Sequence, residues 1–280
     1  MSPELIQVLL MLRSQVVWLF LLIAIFVPLE RLFAVNRQPA LRPQMLADLG
    51  YYFLTGLIPT LILAFPLGAI AALSRQIIPQ AYFLWIVALP IGVQIVAAFV
   101  IGELGFYWGH RLMHEVPWLW RFHATHHEPE RMDWLINSRA HPVDIIFTRM
   151  CGLSLVSIAG FGSPGSGSGS IVPVLVLLGG TLWSFFIHAN ISWRLGWFEH
   201  IVSSPRFHHW HHSRVDHINR NYSSILPFYD RIFGTHYLPP KAWPPSYGIA
   251  PENRPEVLIA AQREGGGEEA DTALESQDPA

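Results

Sequence analysis

The chain has one cysteine, Cys151, in 280 residues. A lone cysteine forms no intramolecular disulfide and no cysteine-based metal site. Inside an apolar stretch it reads as a small buried hydrophobe. Charge is also scarce. Only 14% of residues are Asp, Glu, Lys or Arg, where soluble domains carry about 25%. The net charge of −2 gives no polyelectrolyte basis for binding nucleic acid, which is excluded as a partner. Apolar residues fill the deficit, at 51% of the chain with a positive mean hydropathy of +0.33. The composition points to a membrane protein, not a secreted or disordered one.

Uncharged runs locate the spans. Residues 16–35 are apolar apart from Glu30, Arg31 and a bend at Pro28, and twenty residues can cross a bilayer core. A signal peptide fits less well, because charges and no small-residue cleavage site follow Leu29. Residues 49–73 and 81–102 contain no charge, so both are expected to span, with Pro59, Pro66 and Pro90 tolerated. Residues 150–160 are too short to span alone, and 171–187 lie near the lower limit. A Gly/Ser-rich stretch, 162–170, separates them as a flexible linker. Residues 144–190 are therefore expected to form a helical hairpin that enters the membrane and returns to the same side.

Arginines orient these segments. Arg31, Arg37 and Arg42 follow the first span, against Arg13 before it, and only Arg75 precedes the third. Residues 111–149 and 194–231 each carry five arginines. The positive-inside rule then places the N-terminus outside and the loops after the third span in the cytoplasm, in a bacterial inner membrane or an ER-like one. Residues 251–280, with eight acidic and two basic residues, are expected to be a disordered tail.

Histidine is the exception to this bland composition. A uniform spread would put about one of the fourteen histidines into 110–127; that segment holds five, and 208–217 holds another five. His110 and His114 are spaced i, i+4; His123, His126 and His127 are spaced i, i+3, i+4, and His208, His211 and His212 repeat that spacing. On a helix such positions share a face, so several imidazoles can point at one metal. His188, at the end of the hairpin, makes a ninth candidate. Neutral imidazole ligates iron, zinc and copper. One metal takes four to six ligands, so nine suggest two metals. A single pair at this spacing would read as ordinary surface or core histidines; three such groups beside membrane spans do not. Two other metal chemistries are poorly matched. A zinc protease needs HExxH, but Trp118 stands where the second histidine should be. A membrane cytochrome b would need histidines inside the second and third spans, which have none before His110.

The combined pattern resembles the fatty acid hydroxylase/sterol desaturase superfamily, the membrane di-iron oxygenases. It comprises HRLMH at 110–114, HATHH at 123–127, His188, and HHWHH at 208–212, with Trp118–Phe122, Arg139-Ala140-His141-Pro142, Asn221-Tyr222 and Asp230–Thr235 around them. The likeness covers about residues 45–240. It implies two iron ions (with zinc as a possible substitute), O2 as co-substrate, electrons from an external donor and a lipid substrate. The reaction implied is hydroxylation or desaturation of a C–H bond in a sterol, fatty acyl or related lipid. It carries the ligand role to His110, His114, His123, His126, His127, His188, His208, His211 and His212. Some relatives pair a second histidine with the one at His188; here Ser184 and Asn190 flank it, so His141 is a candidate tenth ligand or a support for one. His209 turns away from the 208/211/212 face and is expected outside the ligand set or at the surface. No segment outside the membrane domain is long enough for a fused cytochrome b5-like unit. The donor is thus expected to be a separate cytochrome b5-like protein, ferredoxin or flavoprotein.

Polar residues near the boxes carry further expectations. Glu103, Tyr107, His110 and His114 form one helix stripe. A carboxylate just inside the bilayer is costly unless it faces protein or water, so Glu103 is expected to support a metal-bound histidine. Asp216, Asn221 and Asp230 are placed to accept imidazole N–H bonds or to cap turns. Asp48 reads as a helix cap. Arg121 and Arg139 are candidates for holding an acidic head group or an electron donor. Trp118, Trp120, Trp134, Trp183, Trp193 and Trp197 are expected in the interfacial belt.

The architecture expected is all-α and integral to the membrane, with three transmembrane helices, a re-entrant or spanning helical hairpin and a cytoplasmic helical metal-binding cap. Residues 1–43 form an N-terminal span and loop, 44–240 the hydroxylase-like domain, and 241–280 the acidic tail. Two other functions stay open: a non-catalytic membrane metal-binding or transport protein, and a zinc-dependent hydrolase. Neither would consume O2.

Overall fold

The computed structural model describes residues 2–39, 41–161, 171–215 and 218–260. Among them the structure is helical, with a single isolated β-bridge, Ser213 to Tyr247, and no strand. Four helices are long and apolar enough to cross a membrane: α1 (Pro3–Leu32), α2 (Met45–Ile77), α4 (Ile91–Glu115) and α7 (Ile171–His188). Their outward faces stay apolar, as at Phe65, which is 85% exposed. A surface of that kind is matched to lipid. The chain is thus a multi-pass membrane protein.

The first span begins earlier than its apolar run, because Ser2 caps it by accepting from the Leu5 N–H at 3.3 Å. Pro28 lies within α1 without ending it. The expected single span over 81–102 is divided. A short α3 (Gln80–Ala88) stops at Leu89, which is extended (ψ 146°) because Pro90 follows and disfavours helix before it. Gln94 donates its side-chain N–H to the freed carbonyls of Val87 and Leu89, at 3.3 and 2.8 Å. The span proper, α4, therefore starts ten residues later than expected and runs on to carry the first histidine pair at its end.

Next come α5 (Pro117–His127) and α6 (Pro142–Ile158). Here α6 lies antiparallel against α4, with small residues at the seam. A Cβ on Gly105 would stand 2.3 Å from the Cys151 carbonyl oxygen, and one on Gly152 would stand 2.9 Å from that of Gly102. Glycine on both sides lets the two backbones touch. The 162–170 linker lies outside the described residues. After it α7 returns, followed by two short helices, α8 (Pro205–His211) and α9 (Phe228–Ile232).

Polar contacts gather the helix ends into one layer. Glu30 near the end of α1 accepts from the Trp134 and Asn190 N–H groups at 2.8 and 2.9 Å. Asp48, in the first turn of α2, pairs with Arg42 (2.5 Å) and Arg139 (2.9 Å). It is fully buried and joins segments, in place of the capping role expected of it. Arg139 also meets Glu128 at 2.7 Å, so it is spent inside the protein and does not face a head group or donor. Arg121 is exposed and stacks over Trp118 and Phe122. The tryptophans divide too. Trp118, Trp193 and Trp197 are exposed, whereas Trp120 and Trp134 are buried and belong to the interior, not to a belt.

Candidate metal centre

The nine box histidines arrive from four helices and converge at that layer. They form two groups, one of His110, His114, His123, His127 and His211, the other of His126, His188, His208 and His212. Within each group the candidate ligand atoms lie within 4.8 Å of one another, and all nine residues are buried. The HxxHH spacing explains the sorting. Residues i and i+4 lie about 40° apart around a helix, while i+3 lies about 100° from i+4. Accordingly His123 and His127 share the first group while His126 joins the second, and His208 and His212 share the second while His211 joins the first. The groups abut, with the His127 and His212 rings stacked at 4.3 Å.

Hydrogen bonds around the rim set which nitrogen faces inward. His110, His126, His188 and His211 each place Nδ1 against a backbone carbonyl, those of Tyr222, Arg139, Ser184 and Arg220, at 2.7 to 3.0 Å. His123 places Nδ1 2.8 Å from Asp144 Oδ2. A carbonyl or carboxylate oxygen only accepts, so each of these Nδ1 atoms carries the proton, and Nε2 keeps its lone pair. Those Nε2 atoms then face one another. His110 and His123 approach to 3.0 Å, as do His126 and His188. The pairs His123–His127, His188–His208 and His208–His212 stand at 2.9 to 3.2 Å. In the His110–His123 and His126–His188 pairs both facing nitrogens keep lone pairs, which repel unless a cation lies between them. Two imidazoles bound at right angles, with metal–nitrogen bonds of about 2.1 Å, stand about 3.0 Å apart. The His211 Nε2, also inward, has no hydrogen-bond partner at all. The residues therefore fit metal ions, and an all-imidazole donor set suits iron, zinc or copper. Burial together with the neighbouring imidazoles pushes His126 down to about 4 and holds His127, His211 and His212 well below the usual histidine range. They stay in the neutral form that ligates.

The other expected site residues fall elsewhere. His141 is not in either group. It caps α6, its Nδ1 accepting from the Val143 N–H at 3.2 Å. Glu103 touches no histidine. Its carboxylate accepts from Ile225 N (2.6 Å), Leu226 N (3.3 Å) and Ser224 Oγ (3.0 Å). Asp230 accepts from Tyr222 N (2.8 Å), Ser223 N (3.0 Å) and Thr235 Oγ1 (2.7 Å). The two acids thus clamp the 222–226 loop from either side. That loop supplies the carbonyl holding His110, so their support of the ligand is indirect. Asp216 lies outside the described residues. Asn221 takes a left-handed φ of 58° and ties the loop to Phe207 and Tyr237. His209 is fully buried, not at the surface. Its Nε2–H donates to the Ala189 carbonyl at 3.1 Å while Nδ1 accepts from the Tyr247 hydroxyl at 2.9 Å. Asp144 was not anticipated. No spacing rule links it to His123, although its place three residues after the Arg-Ala-His stretch at the start of a helix was visible.

A cavity of about 360 Å³ opens onto the centre. At one end it is walled by histidines of both groups, His110 and His123 from the first and His126, His188 and His208 from the second. Elsewhere apolar side chains of α1, α2, α4, α6 and α7 line it, Leu22, Phe99, Val156 and Phe185 among them.

Two buried all-histidine groups, each able to hold a metal ion, face an apolar cavity at the ends of membrane-crossing helices. Residues 95–235 match the fatty acid hydroxylase family, half of the chain, and the chain belongs to that family. The ornithine lipid hydroxylase OlsE of Rhizobium tropici is 34% identical over 190 residues, covering 66% of this chain and 54% of that protein. Human alkylglycerol monooxygenase is 34% identical over 140 residues, 50% of this chain and 29% of that one. Methylsterol monooxygenase 2-2 of Arabidopsis thaliana is 28% identical over 213 residues, 71% of each. The chain thus spans about half of the first of these relatives and under a third of the second. No solved structure matches it.

Proposed function

We propose that the protein is an O2-dependent membrane lipid oxidoreductase that hydroxylates or desaturates a C–H bond. The nine box histidines would hold two iron ions, five imidazoles on one and four on the other. The observation that carries this reading is the shared cavity, whose wall joins histidines of both groups to an apolar slot between the spans. Relatives named as lipid and sterol oxygenases weigh against the metal-transport and hydrolase alternatives.

Bound iron supplies the activation of O2, with electrons from a separate donor protein. The chain's own residues do the rest. Asp144 and the carbonyls of Tyr222, Arg139, Ser184 and Arg220 hold the imidazoles in one tautomer, so no reorganisation is needed when metal binds. The span side chains take up the lipid from the bilayer, position one carbon beside the histidines and exclude water from the reacting centre. The arginine distribution supports placing the histidine layer on the cytoplasmic side, where a soluble or membrane-bound electron donor can reach it.

Lipid profiling under ¹⁸O2, in cells with and without the protein, tests the proposal. A lipid carrying one ¹⁸O establishes hydroxylation and identifies the substrate, and a new unlabelled alkene establishes desaturation. Absence of any O2-dependent lipid change, together with zinc as the bound metal, would refute it.

A further inference from the structure

Arg149 lines the same cavity, midway along α6, and no acid among the described residues pairs with it. The other inward arginines are matched. Arg42 and Arg139 share Asp48, with Asp133 and Glu128 as second partners, and Arg206 meets Glu199 at 2.6 Å. Among the described residues Arg149 has no hydrogen bond, no ion pair and no aromatic face beneath it. The neighbouring acids are spent. Asp144 is bonded to His123 and lies five residues back, about 140° round the helix. Glu103 is saturated by the 224–226 loop. A partly buried guanidinium in a membrane-embedded cavity is costly without a counter-charge. A bare hydrocarbon occupant would leave the guanidinium without a partner.

The level of Arg149 is set by the α4–α6 seam. Gly109 lies against Thr148 and Cys151, and Gly105 against Cys151 and Gly152. The Arg149 backbone is therefore level with the turn of α4 just before His110. It is about 7.5 Å along the α6 axis from Asp144.

We propose that Arg149 is a specificity-determining residue that binds an anionic oxygen group, a carboxylate or phosphate, on the lipid inside the cavity. The guanidinium fork matches such groups in two-point contact. Because its backbone is level with the turn of α4 just before His110, the carbon that reacts is near the head-group end of the lipid and not at the chain terminus. This rests on the lipid-oxidoreductase reading above.

The test measures binding by the full-length metal-loaded protein in maltoside micelles. Its probes are palmitate, hexadecyl phosphate and methyl palmitate, with acetate and inorganic phosphate as chain-free competitors. Charge-assisted contacts predict that palmitate and hexadecyl phosphate bind about tenfold or more tightly than methyl palmitate. In R149Q that preference disappears while metal content is unchanged, and R149K restores part of it. Acetate and inorganic phosphate displace neither lipid at matched concentration. Retention of the preference in R149Q would overturn the assignment, as would free phosphate competing as well as hexadecyl phosphate. The wild-type comparison of acid with ester stands whether or not the variants accumulate. Equal binding of the two overturns the role of Arg149 alone, whereas failure to bind any of the three lipids overturns the lipid reading as well.

Discussion

Asp144→Ala removes the carboxylate that holds His123 in place, and its effect can be sized from the structure. Asp144 Oδ2 lies 2.8 Å from His123 Nδ1, with the two side chains 4% and 5% exposed. The bond is therefore dry and charge-assisted. Bonds to charged groups are worth about 1.5–3 kcal/mol, which corresponds to about 10- to 150-fold in binding. Loss of the outer partner of a metal-bound histidine costs about 10- to 100-fold, the same range. His123 belongs to the five-histidine group alone, so the loss should be confined to one of two sites. Dialysis against graded chelator, with iron measured per chain, should show the variant falling towards one metal where the wild type keeps two. D144N, whose amide oxygen still accepts, should fall between. Helical content by circular dichroism should not change, because the Thr148 hydroxyl bonds the Asp144 backbone carbonyl and not its side chain. If D144A holds both metals at the wild-type chelator midpoint, the tautomer argument for the centre is wrong.

His126→Ala and His211→Ala should each abolish activity while the protein still inserts. H126A should empty the four-histidine site and H211A the five-histidine one, and full activity of either in cells would sink the assignment. Stripping the metals should lower the thermal midpoint, because lone pairs then face each other at about 3.0 Å, and added Fe²⁺ should restore it; an unchanged midpoint would contradict the fit to cations. Gly105→Ala pushes a methyl group into the Cys151 carbonyl. It should cost about 1–3 kcal/mol, read as a lower midpoint, and a variant that melts like the wild type would show that the seam is not tight. Gly180→Phe fills the cavity wall and should cut turnover on lipid at least about tenfold with metal content unchanged; undiminished turnover would place the substrate elsewhere.

Much of the site was legible from spacing. The i, i+3, i+4 pattern identified residues able to converge, and the structure gathers all nine. What spacing could not show was the division between two groups, since the same spacing permits one shared face. The supporting shell was harder still. Glu103 was read as a support for a metal-bound histidine, because a costly buried acid near a histidine box suggests one, and Asp230 as either an imidazole partner or a turn cap. They hold a loop instead, and the loop's carbonyl holds His110. The misplaced third span has a local cause. Hydropathy runs straight through Leu89-Pro90, but the backbone cannot continue helical there.

By itself the sequence determined that the chain enters a membrane, which histidines are spaced to converge and which family it belongs to. These follow from composition and from local periodicity, and both are readable without knowing where the chain returns. Only the tertiary structure decided which nitrogen of five of the imidazoles faces inward, and that Arg149 pairs with no acid among the described residues. Apart from Ser184, the partners that settle those points lie 9 to 112 residues away in the chain. A lone pair is aimed only when a folded neighbour accepts the proton on the far side of the ring.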